Sequence, residues 1–583
     1  MTSRKEALLA VLIFAVGLLI RVEHLDRSTY AHPENYVPGY DDPDWVTAPP
    51  AKRSTLKDVL KANLADGHPP LWFVAMLPWV KATGTSLEAM RLPSAITGAL
   101  CILLLWRLAR REGGPYAGLL AAALLALHGH HVFWSRMARM YAPACLLALV
   151  STWALLRLME RPERRFPLLY VLSGAALLWT QIYGFPLVAA QGVLVVATTL
   201  KRGVLPRRAV GSLTAVAVLG APVLTLAVYQ TPPTAWADPA IEHLAFGFAF
   251  FSDANFFGPA PFRAPVLAVV GATVLFLTAA LWGALRRGPT SAEAPDPIAG
   301  SVPCDGSPPS WGRLLKDGVR EASDWRLWIT TVGITVAQAF FIKKFGRRTA
   351  GPENILIATC FLPSLLVAIG PVVHATLASL VHRGFRGGPL RVLASPSITL
   401  GLVPWALMTL VSLERPSFVA RGAVLFLPFL LAAVASGAAV LSGNGADSAR
   451  SARSKVAGRA MAVALLLIGT SSFVYFHHAE AAPRDYRTLA AKILAAAGPE
   501  DLILVQGGYA DPPLLYYLAP VKDRVIALNA LSERFPDAGR RNVFMVVYDG
   551  DPVEADEAPA LTRRPPVRTL EAHRAIAVEF GPR

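Results

Sequence analysis

The sequence is short of charge, of acid and of cysteine. Only 16% of its 583 residues are Asp, Glu, Lys or Arg, whereas a soluble globular protein carries about 25%. With 54% hydrophobic residues beside that figure, a disordered chain, a coiled coil and an ordinary soluble enzyme are excluded. The four cysteines carry no pattern: Cys101, Cys145 and Cys360 lie in apolar blocks and Cys304 in a Pro/Ser-rich loop. They show neither metal-ligand spacing nor an obvious disulfide partner, so the sequence assigns them no function. A small-residue cleavage site is also missing after the apolar start, and Met1–Ile20 reads as a retained first span rather than a signal peptide.

What is present is a series of apolar blocks of about 20 residues, the length that crosses a 30 Å hydrocarbon core. The run lengths give about thirteen spans, near 7–22, 89–110, 115–134, 137–158, 166–182, 184–200, 209–229, 263–285, 326–342, 354–380, 393–413, 418–441 and 457–476. The 56 Lys and Arg against 40 Asp and Glu give a net charge of +16. The excess falls in short clusters between blocks: Arg107/Arg110/Arg111, Arg161/Arg164/Arg165, Lys201/Arg202/Arg207/Arg208, Arg286/Arg287, Arg383/Arg386 and Arg450/Arg453/Lys455. That is the signature of cytoplasmic loops rather than of a nucleic-acid partner. The expected fold is an all-α polytopic membrane protein, with residues 1–476 as the membrane domain. A cytoplasmic N-terminus and an odd span count place residues 477–583 outside, as a small α/β domain. That domain opens on an amphipathic helix at Asp485–Ala497, followed by strands at Asp501–Gln506, Arg524–Leu528 and Asn542–Tyr548. Its last thirty or so residues read as loosely structured. The first outer loop, 23–88, is polar to residue 70 and then helical at the interface over 71–83, a run too short and too interrupted by Pro78 to span. Residues 230–262 form a second outer loop, and 286–325 a Pro/Ser/Gly-rich cytoplasmic linker.

Three stretches hold groups able to do chemistry. The first outer loop carries Glu34, Asp41, Asp42, Asp44, Asp66 and His68. A carboxylate there can deprotonate an acceptor hydroxyl or hold a metal, while the same acids also suit a plain solvated loop. The second stretch runs from His128 through His130 and His131 to Arg136, Arg139 and Tyr141, where the third and fourth spans meet. If helical, it puts Arg136 and Arg139 on one face, and arginines beside hydrocarbon call for an anion or a route to the interface. The histidines serve as metal ligands or as interface residues. The third is Lys343, Lys344, Arg347 and Arg348, which the span count places outside, against the usual sidedness. Either the count fails locally or these cations meet an anion. A phosphate about 4 Å from one such cation gains up to roughly 4 kcal/mol per unit charge at an effective dielectric of 20. Carboxylates on one side and cations on the other suit group transfer from a lipid phosphate, with the cations steadying the departing phosphate.

Asp66-Gly67-His68-Pro69-Pro70-Leu71, Arg91-Leu92-Pro93-Ser94-Ala95 and Ser135 to Arg139-Met140-Tyr141 together resemble the polyprenol-phosphate-sugar glycosyltransferases of the GT-C superfamily. The nearest group is the bacterial protein O-mannosyltransferase and aminoarabinose-transferase-like family. Arg421-Gly422 to Pro428 is similar to that family's late Arg-Tyr…Pro span. Asp485-Tyr486-Arg487 with Asp501-Leu502-Ile503 resembles the start of its outer domain. The resemblance implies inverting transfer from a polyprenyl-phosphate-linked sugar to a lipid, glycan or protein acceptor, with the catalytic acid in the first outer loop of an inner-membrane protein. The family's usual Asp-Glu pair is absent, and Glu34 is its best match, with Asp41, Asp42 and Asp44 as rivals. Asp66 and His68 match the second acidic site, and Arg139 the arginine of the Arg-Met-Tyr motif. Gly422 stands where a Tyr is expected, and Gln181 and Tyr183 where a His is common, which implies a divergent branch with an altered donor or acceptor. A divalent metal suits a mixed set drawn from Glu34, Asp66, His68, His130 and His131, though spacing fixes no ligand set. A transporter or flippase of lipid-linked sugars and a non-catalytic scaffold of envelope polysaccharide assembly are the alternatives.

Overall fold

The computed structural model describes residues 3–27, 34, 37–38, 54–65, 68–160, 163, 165–202, 206–230, 392–414, 422–442, 485–505, 511–527, 541–548, 566–572 and 575–581, with isolated helical positions between 456 and 467. Within them the chain is mostly helical. Helix α1 is Ser3–Val22. Its large apolar side chains Leu8, Leu12, Val16 and Leu19 stay exposed along one stripe, as lipid-facing residues of a membrane helix do. Helices α2, Leu56–Ala65, and α3, Leu71–Thr83, follow. The former is a helix that the apolar pattern does not announce. The latter keeps the expected bounds and buries Trp72, Phe73, Met76, Leu77 and Val80 despite Pro78.

Helix α4, Leu87–Leu127, contains two arms. Gly114 at φ 83° takes the left-handed region that glycine tolerates, and Pro115 restarts the helix at a position where its missing N–H costs nothing. The arms fold back on each other, with Gly118 lying against Trp106 and Arg110. Two separate spans are expected here; the second ends at Leu127 rather than 134, and a short helix, α5 at Gly129–Ser135, follows. Helices α6 (Tyr141–Glu160), α7 (Arg165–Thr180), α8 (Gly184–Arg202) and α9 (Arg207–Gln230) complete the described N-terminal bundle. Later come α10 (Pro396–Glu414), a 3-10 turn at Gly422–Leu425 and α11 (Leu427–Leu441). Four of the described helices are long and apolar enough to cross a membrane: α4, α6, α8 and Arg207–Leu224 within α9. The expected spans 263–285, 326–342 and 354–380 lie outside the described residues.

Small residues and buried polar groups hold the bundle, as in membranes where lipid tails compete with side chains for apolar contact. Gly174 of α7 meets Val216 of α9, and Gly220 of α9 meets Leu178 of α7. Gln191 of α8 accepts from Tyr170 at 2.9 Å and donates to Ser151 and Thr152 of α6 at 3.1 Å each. At one end of the bundle the basic loops gather around acids: Arg110 Nε to Glu6 at 2.6 Å and Arg111 to Glu160 at 2.6 Å. There too Glu112 accepts from the Ser395 hydroxyl and from the Ser397 N–H at the start of α10, where the helix dipole favours a carboxylate.

The C-terminal region forms a five-stranded mixed sheet with order β2-β1-β3-β5-β4. Its strands are β1 Leu502–Val505, β2 Val525–Ala527, β3 Val543–Tyr548, β4 Pro566–Ala572 and β5 Ala575–Phe580. β1 runs parallel to β2 and β3, while β5 runs antiparallel to β3 and β4. Helices α12, Tyr486–Ala496, and α13, Asp511–Leu518, contribute to its core. Asp485 caps α12 by accepting from the Thr488 N–H at 3.0 Å. The expectation of a loosely structured C-terminus is corrected. β4 and β5 form a hairpin there whose buried faces, such as Ala577, were too short and too mixed in charge to register as strands.

Three arginines organise the opposite end of the bundle. Arg21, fully buried, donates to the carbonyls of Gly17 (2.8 Å), Ala126 (3.1 Å) and Leu125 (3.0 Å). The last two are carbonyls that the end of α4 leaves without intrahelical donors. Arg136 returns the favour to α1, donating to Ile20, Glu23 and His24 carbonyls at 2.7–2.8 Å and to Arg21 at 3.4 Å. Burial above all, then the charge of Arg91, pushes the Arg136 guanidinium down to about 10, so it stays cationic at neutral pH. Arg91 forms a bidentate pair with Glu34, Nε to Oε1 at 2.8 Å and Nη2 to Oε2 at 2.5 Å, with both side chains buried. Arg91 also donates to the Leu25 carbonyl at 2.6 Å, and Glu34 Oε1 accepts from the Ala138 N–H at 2.9 Å.

Breaking a buried pair strands a charge and costs about 3–5 kcal/mol. Arg91→Ala is therefore expected to abolish or sharply lower the yield of monodisperse protein, and Arg91→Met with Glu34→Met to recover it; equal yields for Arg91→Ala and wild type would contradict the pair's role. Gln191→Ala strands the Tyr170 hydroxyl and should cost about 1–2 kcal/mol, read as a lower unfolding midpoint in detergent.

Candidate functional site

The first loop, the start of α4 and the turn between α5 and α6 meet at the arginine-rich end. Helix α5 stops at Ser135, and Arg136 to Met140 form a non-helical turn. Arg136 and Arg139 consequently do not share a face, which corrects the helical expectation. Arg136 turns back onto the end of α1, while Arg139 turns toward the first loop. The turn is fixed at two points: the Ala138 N–H on Glu34, and the Arg139 carbonyl, which accepts from Ser94 Oγ at 3.0 Å.

Arg139 is only 3% exposed. Its Nη2 lies 3.4 Å from His68 Nε2, and its guanidinium carbon lies 5.6 Å from the Phe73 ring centre and 5.9 Å from that of Tyr141. Cation–π contacts of this kind hold a guanidinium in an apolar wall. Pro69 and Pro70, both buried, lead into α3 and fix the approach of His68. Tyr141 opens α6 and packs against Trp134, ring centres 4.5 Å apart and planes tilted by 59°. Of the residues singled out by sequence, His68, Arg139 and Tyr141 thus converge. Glu34 stands behind them in the pair with Arg91.

The other expected residues distribute differently. His130 accepts from Trp134 Nε1 at 3.0 Å, and His131 Nδ1 faces Arg21 Nη2 at 2.9 Å. The expected grouping of metal ligands drawn from Glu34, Asp66, His68, His130 and His131 is not among the described clusters able to hold a metal. Asp66, Lys343, Lys344, Arg347, Arg348 and Arg421 lie outside the described residues. Sequence reasoning missed Arg91 as an ion-pair partner and Arg21 as a cap. Both are basic residues beside or within an apolar block, which was signal enough to ask what they meet.

Gly422 accounts for one departure from the family pattern. A Cβ there would lie 2.5 Å from the Tyr183 ring, which also lies 6.3 Å from the Phe426 ring centre. The space that a side chain at 422 would take is filled by the Tyr183 ring.

Residues 67–225 match the family model described as dolichyl-phosphate-mannose-protein mannosyltransferase. No curated protein matches the chain. Among solved structures, ArnT from Cupriavidus metallidurans in the apo state is 15% identical, with 98% of this chain and 99% of that chain covered at a TM-score of 0.40. The same protein bound to undecaprenyl phosphate is 14% identical, with full coverage of both chains at 0.41. The Archaeoglobus fulgidus oligosaccharyltransferase in the apo form is 11% identical, with 94% and 70% covered at 0.43. The family match contains His68, Arg91, Arg136, Arg139 and Tyr141. Residues 67–225, which build most of the arginine-rich end, are thus similar to the dolichyl-phosphate-mannose-protein mannosyltransferase family model.

Proposed function

We propose that the protein transfers a sugar, with inversion, from a polyprenyl-phosphate-linked donor to a lipid, glycan or protein acceptor at the outer face of the cytoplasmic membrane. The observation that carries this reading is the convergence of His68 and Tyr141 on the buried Arg139 within the matched family segment. A guanidinium held by aromatic rings beside an imidazole suits the phosphate of a lipid-linked donor. It needs no reorganisation as negative charge grows on the leaving phosphate. Lys343, Lys344, Arg347, Arg348 and Arg421 are proposed to add cations to the same anion. Asp66, two residues before His68, is the base we assign to the acceptor hydroxyl. Glu34 is assigned a positioning role, because both its oxygens already accept from Arg91 and Ala138 and thereby aim the turn that carries Arg139.

The test is transfer of label from a polyprenyl-phosphate hexose in membranes. Arg139→Ala and Asp66→Asn are expected to lower the rate by about 100-fold or more, and His68→Ala by less. Asp66→Asn should also remove the acid limb of the pH–rate profile, whereas Glu34→Gln should lower the rate of folded protein and leave that limb in place. Wild-type transfer in Arg139→Ala and Asp66→Asn would overturn the site.

The ring at 183 gives a separate expectation. Gly422→Ala alone pushes a methyl group into Tyr183 and should lower both yield and transfer. Adding Tyr183→Ala to it should restore the yield, and failure to do so would remove the link between the two positions.

A further inference from the structure

Cys101 in the first arm of α4, His131 in α5 and Cys145 in α6 form a cluster that the proposed transfer does not use. All three are fully buried, and their two sulfurs and a ring nitrogen lie within 4.8 Å of one another. Two sulfurs bound at about 2.3 Å to one ion stand about 3.8 Å apart at a tetrahedral angle and about 4.6 Å apart on a straight line. The cluster has the size of a metal site.

Its surroundings carry the argument further. Arg21 Nη2 lies 2.9 Å from His131 Nδ1, and a guanidinium has no lone pair to accept with, so Nδ1 is the acceptor and a neutral ring keeps its proton on Nε2. Ser135 Oγ also lies 3.3 Å from Nδ1. Nε2 is enclosed and has no hydrogen-bond partner among the described residues, although buried polar atoms are normally paired. The two thiols are the soft donors, and the neutral ring beside them brings an N–H able to donate to a bound thiolate. Such donors select monovalent copper or zinc over hard cations.

We propose that Cys101 and Cys145, with His131 beside them, bind one thiophilic d10 metal ion, and that monovalent copper is the ion they suit. Loading exchanges the two thiol protons for one cation. The charges then close: two thiolates, one monovalent ion and the Arg21 guanidinium sum to zero, with the ring neutral. A divalent ion in the same set leaves a net positive charge in the apolar interior unless the ring also loses its proton, and burying net charge is costly. The ion would join α4 to α6 one helical turn beyond Tyr141, since residues 141 and 145 are i, i+4 on α6.

The experiment takes the full-length protein in detergent, stripped with chelator and kept anaerobic. It is exposed to monovalent copper or to zinc, desalted and analysed for metal per chain, with the thiolate-to-copper absorption band read in parallel. About one copper per chain is expected for wild type, with the band present. Cys101→Ser and Cys145→Ser, compared only where they elute as wild type does, should each lose the band and at least about ten-fold in copper retention. His131→Ala should retain copper more weakly. No copper or zinc kept by wild type, or equal retention in the serine variants, would overturn the site. Zinc kept in place of copper with the same cysteine dependence would overturn the choice of ion.

Discussion

The pair between Arg91 and Glu34 is the interaction on which the arginine-rich end depends. It joins the first loop to the start of α4, and Glu34 Oε1 continues it to the backbone of the turn at 138. Taking two charges out of water is expensive, and only good geometry with further hydrogen bonds offsets the cost. Both conditions hold here: the contact is bidentate, and each partner makes an additional bond, Arg91 to the Leu25 carbonyl and Glu34 to the Ala138 N–H. An apolar pair of equal volume could close the same space. It could not fix the orientation of a backbone turn, and the turn is what carries Arg139.

The two capping arginines work by the same constraint. A helix end in an apolar interior leaves carbonyls that no water reaches. Arg21 answers those of α4, and Arg136 answers those of α1, where His24 at φ 45° turns the chain out of the helix. Arginine suits this and lysine does not, because its planar fork reaches several carbonyls at once from one fixed geometry. Arg21, in the last turn of α1, closes α4, and Arg136, just past α5, closes α1, so α1, α4 and α5 are set in register together. Arg139 is thereby delivered to His68 without being needed as a cap itself.

How much of this was legible in the sequence varies with the physics. Apolar run length found the helices at 71–83, 141–160, 165–180, 184–202 and 207–230 within a few residues, because crossing or lining an apolar layer leaves a long, simple signal. The Asp-Gly-His-Pro-Pro-Leu and Arg-Met-Tyr motifs pointed to His68 and Arg139, which do meet. The break at His128 was hidden inside an apolar run, since it depends on Arg21 taking the carbonyls of Leu125 and Ala126 from 104 and 105 residues away. Cys101 and Cys145 looked inert for the same reason: they are brought together only by the packing of α4 on α6. Long-range pairing leaves no local trace, so Arg136 looked like a partner of Arg139 when its partners were in α1.

The C-terminal region is tied to the chain on both sides of the first loop. Arg487, beside the Asp485 cap of α12, donates to the Asp26 carbonyl just past α1. Tyr516 of α13 donates to the Thr85 carbonyl at 3.1 Å, at the entrance to α4. Burial, and then the neighbouring Tyr517, push the Tyr516 phenol up, which keeps it an O–H donor across the physiological range. These contacts touch the chain on both sides of the loop that holds Glu34 and His68. Helix α12 therefore bears on the chain one residue past the Leu25 carbonyl that Arg91 holds and two past the His24 carbonyl that Arg136 holds. Glu34 and His68 lie between the contacts at Asp26 and Thr85 along the chain, one held by the buried pair with Arg91 and the other against Arg139.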